Sequence, residues 1–334
     1  MKLTILGCYS ATPRTLNNTT SQVLEINNHM FLIDCGEGTQ VELRKHKIKF
    51  NRIKHIFISH LHGDHFFGLV GLISTFRLLT RETDLHVYGT KGNKELVTLQ
   101  MKLEDSWTNY NLYFIELTSK ESELIFEDDK VEVYNIPLNH RVYTNGFLFK
   151  EKRGLRKLNV HAAEKANIDV AYYRKLTQGF DVENENGELI ANNSVTTAGP
   201  KPKSYAFCSD TMYKEDIVPI IKKVNVLYHE STFLDQHVHL AGKTKHSTAK
   251  EAAAIHTNRR CAEECAETIA GFLYGETLIS VDDPSLATVV CGWADKTAYE
   301  EWQQSPVREK QLQDLVGQVK VETKEHTFKS FHKV

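Results

Sequence analysis

Short apolar runs of strand length recur along the front of the chain, at residues 2–7, 22–26, 30–34, 54–59, 85–88, 131–136 and 205–208. Longer apolar patterns with helical spacing cover Phe66–Leu79 and Ser247–Ile255. The early strands follow one another with little helix between them, which predicts an α/β fold built on a mixed sheet rather than a strict βαβ wind. Segment 150–203 differs: it is rich in charge and Asn, carries a turn signal at Asn184-Glu185-Asn186-Gly187, and ends in Gly199-Pro200-Lys201-Pro202. It reads as an insertion or arm. Past residue 257 the pattern changes again. Gly275–Ser280 and Ala287–Trp293 read as strands, and Asp295–Val316 as helix broken at Ser305-Pro306. Val319–Val321 and Thr327–Phe331 read as closing strands.

Composition narrows this picture. With 334 residues, 41% hydrophobic and 25% charged, the chain can bury one large core plus a small appended unit, which excludes a disordered protein. A formal net charge of −2 excludes a generally basic protein that coats nucleic acid, so any such contact must come from local patches. One candidate patch runs Arg44, Lys45, Lys47, Lys49, Arg52, Lys54. A second gathers Lys150, Lys152, Arg153, Arg156 and Lys157 with Tyr172, Tyr173, Arg174 and Lys175, and the plainer reading of both is a solvated face. Cysteines at 8, 35, 208, 261, 265 and 291 lack the density of a disulfide framework, which favours a reducing, cytoplasmic setting. Cys261 and Cys265 without two further ligands read as core packing. The start, Lys2-Leu-Thr-Ile-Leu-Gly-Cys8, has too short an apolar run for a signal peptide, and no stretch is long enough to span a bilayer.

The chemistry concentrates in His60-Leu61-His62-Gly63-Asp64-His65, set between the apolar strand His55–Ser59 and an apolar helix. A strand end followed by a tight Gly-containing loop holds several short-range donors convergent at a sheet rim, as a metal ion requires. His140 follows the strand Val131–Ile136 through Pro137-Leu138-Asn139, and Asp210 follows the strand Tyr205–Cys208. Both therefore stand at strand ends that could meet the first cluster.

The H-x-H-x-D-H wording resembles the metallo-β-lactamase superfamily, which implies an αββα sandwich and a metal centre. Narrower motifs separate its members. Asp34-Cys-Gly-Glu-Gly-Thr-Gln40, Ser59–His65, Asn139-His140 leading to Gly146-Phe147, Cys208-Ser-Asp-Thr211, His229-Glu-Ser-Thr232 and Lys245-His-Ser-Thr-Ala249 together resemble the ribonuclease Z family over about residues 1–255. The resemblance implies two Zn2+, with Mn2+ as an alternative: His60, His62 and His140 on one ion, Asp64 and His65 on the second, and Asp210 bridging. It further implies that Asp64 orients the attacking water and that His246, held by Glu230, protonates the leaving oxygen. The implied substrate is precursor tRNA, gripped by the arm and cut to leave a 3′-hydroxyl, and the implied assembly is a homodimer.

Two departures stand out. Ile168-Asp-Val-Ala-Tyr172 occupies the place of the family's Gly-Pro turn in the arm. The family's Gly-His-Phe-Ser segment, which supplies the last ligand of the second zinc, is missing; His256, His326 and His332 do not match it by motif. Instead Ala270–Leu278, Trp293, Ala298-Tyr-Glu-Glu-Trp302 and Ser305-Pro306 resemble an antibiotic-biosynthesis-monooxygenase-type ferredoxin-like domain without its first strand. The resulting division is a metallo-β-lactamase domain over 1–257 with the arm at 150–203, then a truncated α+β tail over 258–334. Both partners are clipped at one seam, which reads as a fused or misassembled reading frame. Rival functions are a metal-deficient RNA-binding remnant, a dimerisation module driven by the tail, and a thioester or lactone hydrolase of the same fold. The arm and the Asp34–Gln40 loop favour RNA over a small molecule.

Overall fold

The computed structural model describes residues 1–12, 17–255, 270–279 and 287–315. The chain divides into two compact units, Met1–Ala252 and Ala253–Val334. In the first, β1 (Lys2–Gly7), β2 (Ser21–Ile26), β3 (His29–Ile33), β4 (Ile53–Phe57), β5 (Leu85–Thr90) and β6 (Leu112–Leu117) form a sheet in that order. The front pairs are antiparallel and the pairs from β3 onward are parallel, so the sheet is mixed. A second sheet runs in the order β15 (Val226–His229), β14 (Ser204–Cys208), β9 (Asn145–Glu151), β8 (Val131–Pro137), β7 (Leu124–Glu127).

The two sheets pack face to face through an aromatic core. Phe31 and Phe57 of the first sheet and Phe149 of the second are fully buried, with ring centroids 5.2–5.6 Å apart. Leu24, Ile33, Val131, Val133, Phe147, Tyr205 and Phe207 complete this layer. On the other face of the first sheet, Leu32, Ile56, Ile58 and Val87 pack with Leu43, Leu69, Leu72, Ile73, Phe76, Val97 and Met101. Those partners come from α1 (Thr39–Lys45), α3 (Gly68–Leu78) and α4 (Asn93–Leu103), with the single turn α2 (Gly63–Phe66) ahead of α3. Alternation along β14 puts Tyr205 and Phe207 in the inter-sheet core, so Ala206 and Cys208 face the opposite side, and both are fully buried. Both faces of each sheet are thus covered.

The helix expected over Phe66–Leu79 is broken at Phe67, between α2 and α3. The break lets the chain approach β3: the Gly68 N–H donates to the Cys35 carbonyl at 2.9 Å, and a Cβ on Gly68 would lie 2.1 Å from the Gly36 oxygen. The strand expected over 54–59 ends at Phe57, because the Ser59 N–H is taken by the Asp34 carboxylate. Elements absent from the sequence reading include α1, α4, β6, β7, β9 and β15. The buried positions of α4 are Asn93, Val97 and Met101, while its Leu96, Leu99 and Leu103 point outward, so no single apolar stripe marks it.

Residues 150–203 form an arm with a small core of Ala163, Ile168, Leu176, Val182 and Val195. It holds β10 (Lys157–Leu158) paired with β13 (Thr196–Thr197) and a hairpin of β11 (Val182–Glu183) with β12 (Leu189–Ile190). The hairpin turns at Gly187, whose φ of +78° suits the turn signal. Its helices are α5 (Val160–Lys165), α6 (Tyr173–Gln178) and α7 (Asn192–Val195). Where the Gly-Pro turn is replaced, Ile168 is buried in that core and the Asp169 side chain accepts from the Ala171 N–H at 2.7 Å. After β15 come α8 (Val238–Thr244) and a helix over 249–255, α9. In the second unit β16 (Phe272–Ile279) pairs antiparallel with β17 (Ala287–Trp293), followed by α10 (Lys296–Gln303) and α11 (Pro306–Leu315). Trp293 meets Phe272 edge to face and Trp302 at a tilt, each with ring centroids 5.2 Å apart. The expected closing strands at 319–321 and 327–331 lie outside the described residues.

Phe149→Ala should destabilise the first unit by about 3–5 kcal/mol. Leu78→Ala, at a side chain 79% exposed, should stay within about 0.5 kcal/mol. Urea unfolding of both variants, read as midpoint shifts, checks the assignment of the inter-sheet core.

Candidate metal centre

Strands β3 and β4 run parallel, as do β14 and β15, while β8 and β14 are each antiparallel to β9 and so share a direction. The C-terminal ends of β3 and β4 and of β8, β14 and β15 therefore open on one rim. The two sheets are tied there by the Ser209 hydroxyl donating to Ser59 Oγ at 3.0 Å and by the Asn145 N–H donating to the Ser59 carbonyl at 3.0 Å. Asp34, His60, His140, Asp210 and Glu230 all follow strand ends at this rim.

The donor atoms converge. His62 Nδ1 lies 2.9 Å from His60 Nε2 and 3.2 Å from His140 Nε2. Asp210 faces both halves of the pocket: its Oδ2 is 3.6 Å from His60 Nε2 and 3.9 Å from His140 Nε2, and its Oδ1 is 3.5 Å from His65 Nε2. Asp64 Oδ2 is 3.6 Å from His65 Nε2. Among the described residues two groups of donors fall within 4.8 Å of one another: His60, His62, His140 with Asp210, and Asp210 with Glu230 and His246.

Outer hydrogen bonds decide which ring nitrogens look inward. The Lys245 carbonyl can only accept, so His140 Nδ1 donates to it at 2.8 Å and Nε2 is left with its lone pair. Asp34 likewise takes the Nδ1 proton of His65 at 2.7 Å. Ser59 Oγ donates to Asp34 at 2.9 Å, and so accepts from His60 Nδ1 at 3.0 Å. His60 and His140 thus both turn lone pairs toward His62, which has one Nδ1 proton at most to offer. Such a pocket is matched by a cation rather than by protons. Tetrahedral ligation at about 2.0–2.1 Å separates imidazole nitrogens by about 3.3 Å, close to the spacing found here. The donor set therefore fits a divalent metal, with carboxylate-imidazole pairs behind it.

Electrostatics support the same division. Burial holds His60 well below the usual histidine range, with the neighbouring His65 adding to the effect; burial also lowers His62 and His140, so all three rings are neutral donors. Burial pulls His65 down too, but the Asp34 and Asp210 carboxylates outweigh it and hold the ring well above its ordinary value. Burial would raise Asp210, yet His65 and His60 override it and keep that carboxylate ionised. Asp34, fully buried, is pushed up by its burial despite the opposing pull of His65.

Beside this cluster, His246 Nδ1 donates to Glu230 Oε1 at 2.9 Å while its Nε2 sits 4.0 Å from Asp210 Oδ2. Burial lowers His246, but the Glu230 hydrogen bond and the Asp210 charge more than compensate, and its pKa is raised. Glu230 Oε1 also accepts from the Thr211 and Ser247 N–H groups, and Oε2 from the Thr232 N–H and hydroxyl, all at 2.8–3.1 Å. One buried carboxylate thereby fixes the loops after β14 and β15 and the approach to α9.

Asp34, Ser59 and the Lys245 carbonyl orient the donors without having been singled out as site residues in the sequence. Asp34 opens the Asp34–Gln40 motif at a strand end, which is the signal that marks it. The carbonyl carries no side-chain signal at all. His256, His326 and His332 lie outside the described residues.

A family model described as Anti-Pycsar protein Apyc1 matches residues 1–154. The ribonuclease Z of Porphyromonas gingivalis is 45% identical over 251 residues, covering 75% of this chain and 83% of that protein. That of Cytophaga hutchinsonii is 45% identical over 255 residues, covering 76% and 81%. Among solved structures, the short form of human tRNase Z aligns with a TM-score of 0.57 at 26% identity, over 78% of this chain and 89% of that one. A metallo-β-lactamase-fold protein from Bacillus subtilis, YhfI, aligns with a TM-score of 0.50 at 14% identity, over 76% and 79%. The mixed sheets and the rim site thus belong to a metallo-β-lactamase fold, and with relatives this similar over most of its length the chain belongs to the ribonuclease Z family.

Proposed function

We propose that this chain is a metal-dependent endoribonuclease that removes the 3′ trailer of precursor tRNA and leaves a 3′-hydroxyl. The observation that carries the reading is the convergence of His60, His62, His140 and Asp210 within 4.8 Å, with the His246–Glu230 pair beside them. In this reading His60, His62 and His140 would hold one Zn2+, and Asp64 and His65 a second, with Asp210 available to both; Mn2+ would suit the same donors. Divalent ions bound by these residues would supply an activated water and offset charge on phosphoryl oxygens. Asp64 accepts a hydrogen bond from the incoming water and aligns it. His246 carries the proton that the departing 3′-oxygen needs, and Glu230 keeps the ring charged and correctly turned. A small-molecule hydrolase has no use for the arm, whose Arg153 and Arg174 side chains are exposed.

Several finer assignments belong with this proposal. Residues 1–257 form the catalytic domain with its arm at 150–203, and 258–334 a separate tail. The enzyme pairs as a homodimer, supported by the exposed Leu96, Leu99, Leu103 and Trp107 on and after α4. Among the described residues no helix is long and apolar enough to cross a membrane. A cytoplasmic setting, where precursor tRNA is available, accords with the free thiols of Cys8, Cys35 and Cys208.

His62→Ala and Asp64→Ala should each lower cleavage of a tRNA bearing a 3′ trailer by at least about a hundredfold, in Zn2+ or Mn2+; cleavage at the unaltered rate by both variants would sink the assignment. Asp34→Asn should weaken metal binding by about 10–100-fold, measured as ions retained per chain by native mass spectrometry. The rate should fall at alkaline pH as His246 loses its proton above its raised pKa. It should fall at acidic pH as His65 keeps a proton that a metal must displace. Glu230→Gln removes what raises His246, so the alkaline fall should begin at lower pH; an unmoved alkaline limb excludes His246 as the acid. Leu99→Glu combined with Leu103→Glu should convert a dimer to monomers in light scattering.

A further inference from the structure

Lys245 stands directly before His246 and ends α8 in left-handed backbone, at φ 55° and ψ 52°. That conformation costs free energy for any residue with a Cβ, whereas glycine adopts it freely. The turn folds the chain back on the helix: the Lys245 N–H donates to the Gly242 carbonyl at 3.4 Å and the His246 N–H to the Ala241 carbonyl at 2.9 Å. A turn alone is served better by glycine, so the lysine side chain needs a use of its own.

Its contacts supply one. Lys245 is half-buried, and its ammonium donates to Asn139 Oδ1 at 3.3 Å and to the His140 carbonyl at 3.4 Å. No carboxylate pairs with it among the described residues, so the charge is directed at two neutral oxygens of one loop. The Lys245 carbonyl in turn accepts from His140 Nδ1 at 2.8 Å. One lysine thus grips His140 twice, at the ring through its main chain and at the main chain through its side chain.

Other contacts hold the same loop elsewhere. The Asn139 N–H donates to Thr211 Oγ1 at 3.1 Å and the Met212 N–H to the Asn139 carbonyl at 2.9 Å, which ties the loop to the one that carries Asp210. Lys214 Nζ donates to the Pro137 carbonyl at 2.9 Å just upstream. None of these takes the His140 carbonyl, which is left to Lys245. The rings of His140 and His246 lie 4.8 Å apart, so the residue that grips the first is covalently joined to the second.

We propose, on the reading of His140 as a metal donor, that Lys245 is a positioning residue of the metal centre: it holds His140 by ring and backbone together and keeps the His246 ring in step with it. The carbonyl fixes the tautomer only while the ring stays within its reach. The ammonium stops the backbone that carries the ring from swinging out of that reach. Support of this kind behind an imidazole donor acts on metal affinity and on the alignment of neighbouring groups, and not on the grip on substrate.

Lys245→Gly separates the turn from the clasp, because it keeps the left-handed backbone at lower cost and removes the ammonium. In competition with a chelator, the variant should bind Zn2+ at least about tenfold more weakly than the full parent chain. Asn139→Ala, which removes one acceptor of the clasp, should weaken binding in the same direction, and the two changes combined should cost no more than Lys245→Gly alone. At saturating metal, kcat for precursor tRNA should fall in Lys245→Gly while KM is unchanged. Unaltered Zn2+ affinity in Lys245→Gly, or additive losses in the combined variant, confines the lysine to the turn and overturns the proposal. A raised KM with unaltered Zn2+ affinity makes the ammonium a phosphate contact and overturns it equally. Should Lys245→Gly melt well below the parent in the metal-free state, Asn139→Ala decides alone. A parent that binds Zn2+ yet leaves precursor tRNA uncut sinks the nuclease reading, and the Zn2+ comparison still decides on Lys245; a parent that binds no Zn2+ sinks both.

Discussion

The pairing of Asp34 with Ser59 and His65 is the contact from which the rim is built. Asp34 ends β3 in left-handed backbone at φ 56°, is wholly buried, and accepts from the Ser59 N–H, the Ser59 hydroxyl and His65 Nδ1 at 2.7–2.9 Å. A buried carboxylate is expensive unless its lone pairs are filled, so these bonds are conditions for folding as much as for chemistry. By ending β4 they release His60 and His62 from the sheet, and by holding His65 they fix the first turn of α2. The Cys35 N–H donating to the His65 carbonyl at 2.8 Å locks the same two loops from the backbone side.

Glu230 plays the corresponding part in the second sheet. Its donors come from the loops after β14 and β15 and from Ser247 ahead of α9, so Asp210, His246 and the Lys245 carbonyl are positioned together. Each sheet therefore brings its own buried acid, and the two halves meet through the Ser209–Ser59 and Asn145–Ser59 bonds. The aromatic layer of Phe31, Phe57 and Phe149 below the rim sets the spacing at which those halves face each other. A metal centre made from both sheets depends on that layer keeping its thickness.

The strands of the core were legible because their residues are apolar on one or both faces, and the donor loops because they follow those strands directly. β6, β7 and β15 sit at or beside sheet edges with half-exposed side chains, so their runs carry no clean alternation. In α1 the buried residues are Thr39, Glu42 and Leu43, a face that composition alone does not reveal. The site was legible in its side-chain donors and not in their supports, since a backbone carbonyl such as that of Lys245 has no identity in a sequence. The second basic run is only partly free surface: Lys152 pairs with Glu127 and Arg156 donates to Thr196 Oγ1 at 2.6 Å, so part of it is structural. Charge density along a chain does not distinguish a cation that is already paired from one that is free.

Among the described residues the two halves of the pocket differ in the donors they gather. His60, His62, His140 and Asp210 supply four donors within 4.8 Å; three are neutral rings, and the tautomers of His60 and His140 are set from behind. On the other side Asp64 and Asp210 flank His65 at 3.6 and 3.5 Å, and Asp34 and Asp210 raise the pKa of that ring well above its ordinary value. The missing Gly-His-Phe-Ser segment belongs to this second half by the family resemblance. The described donors are thus unequal, with neutral rings gathered on one side and carboxylates around His65 on the other.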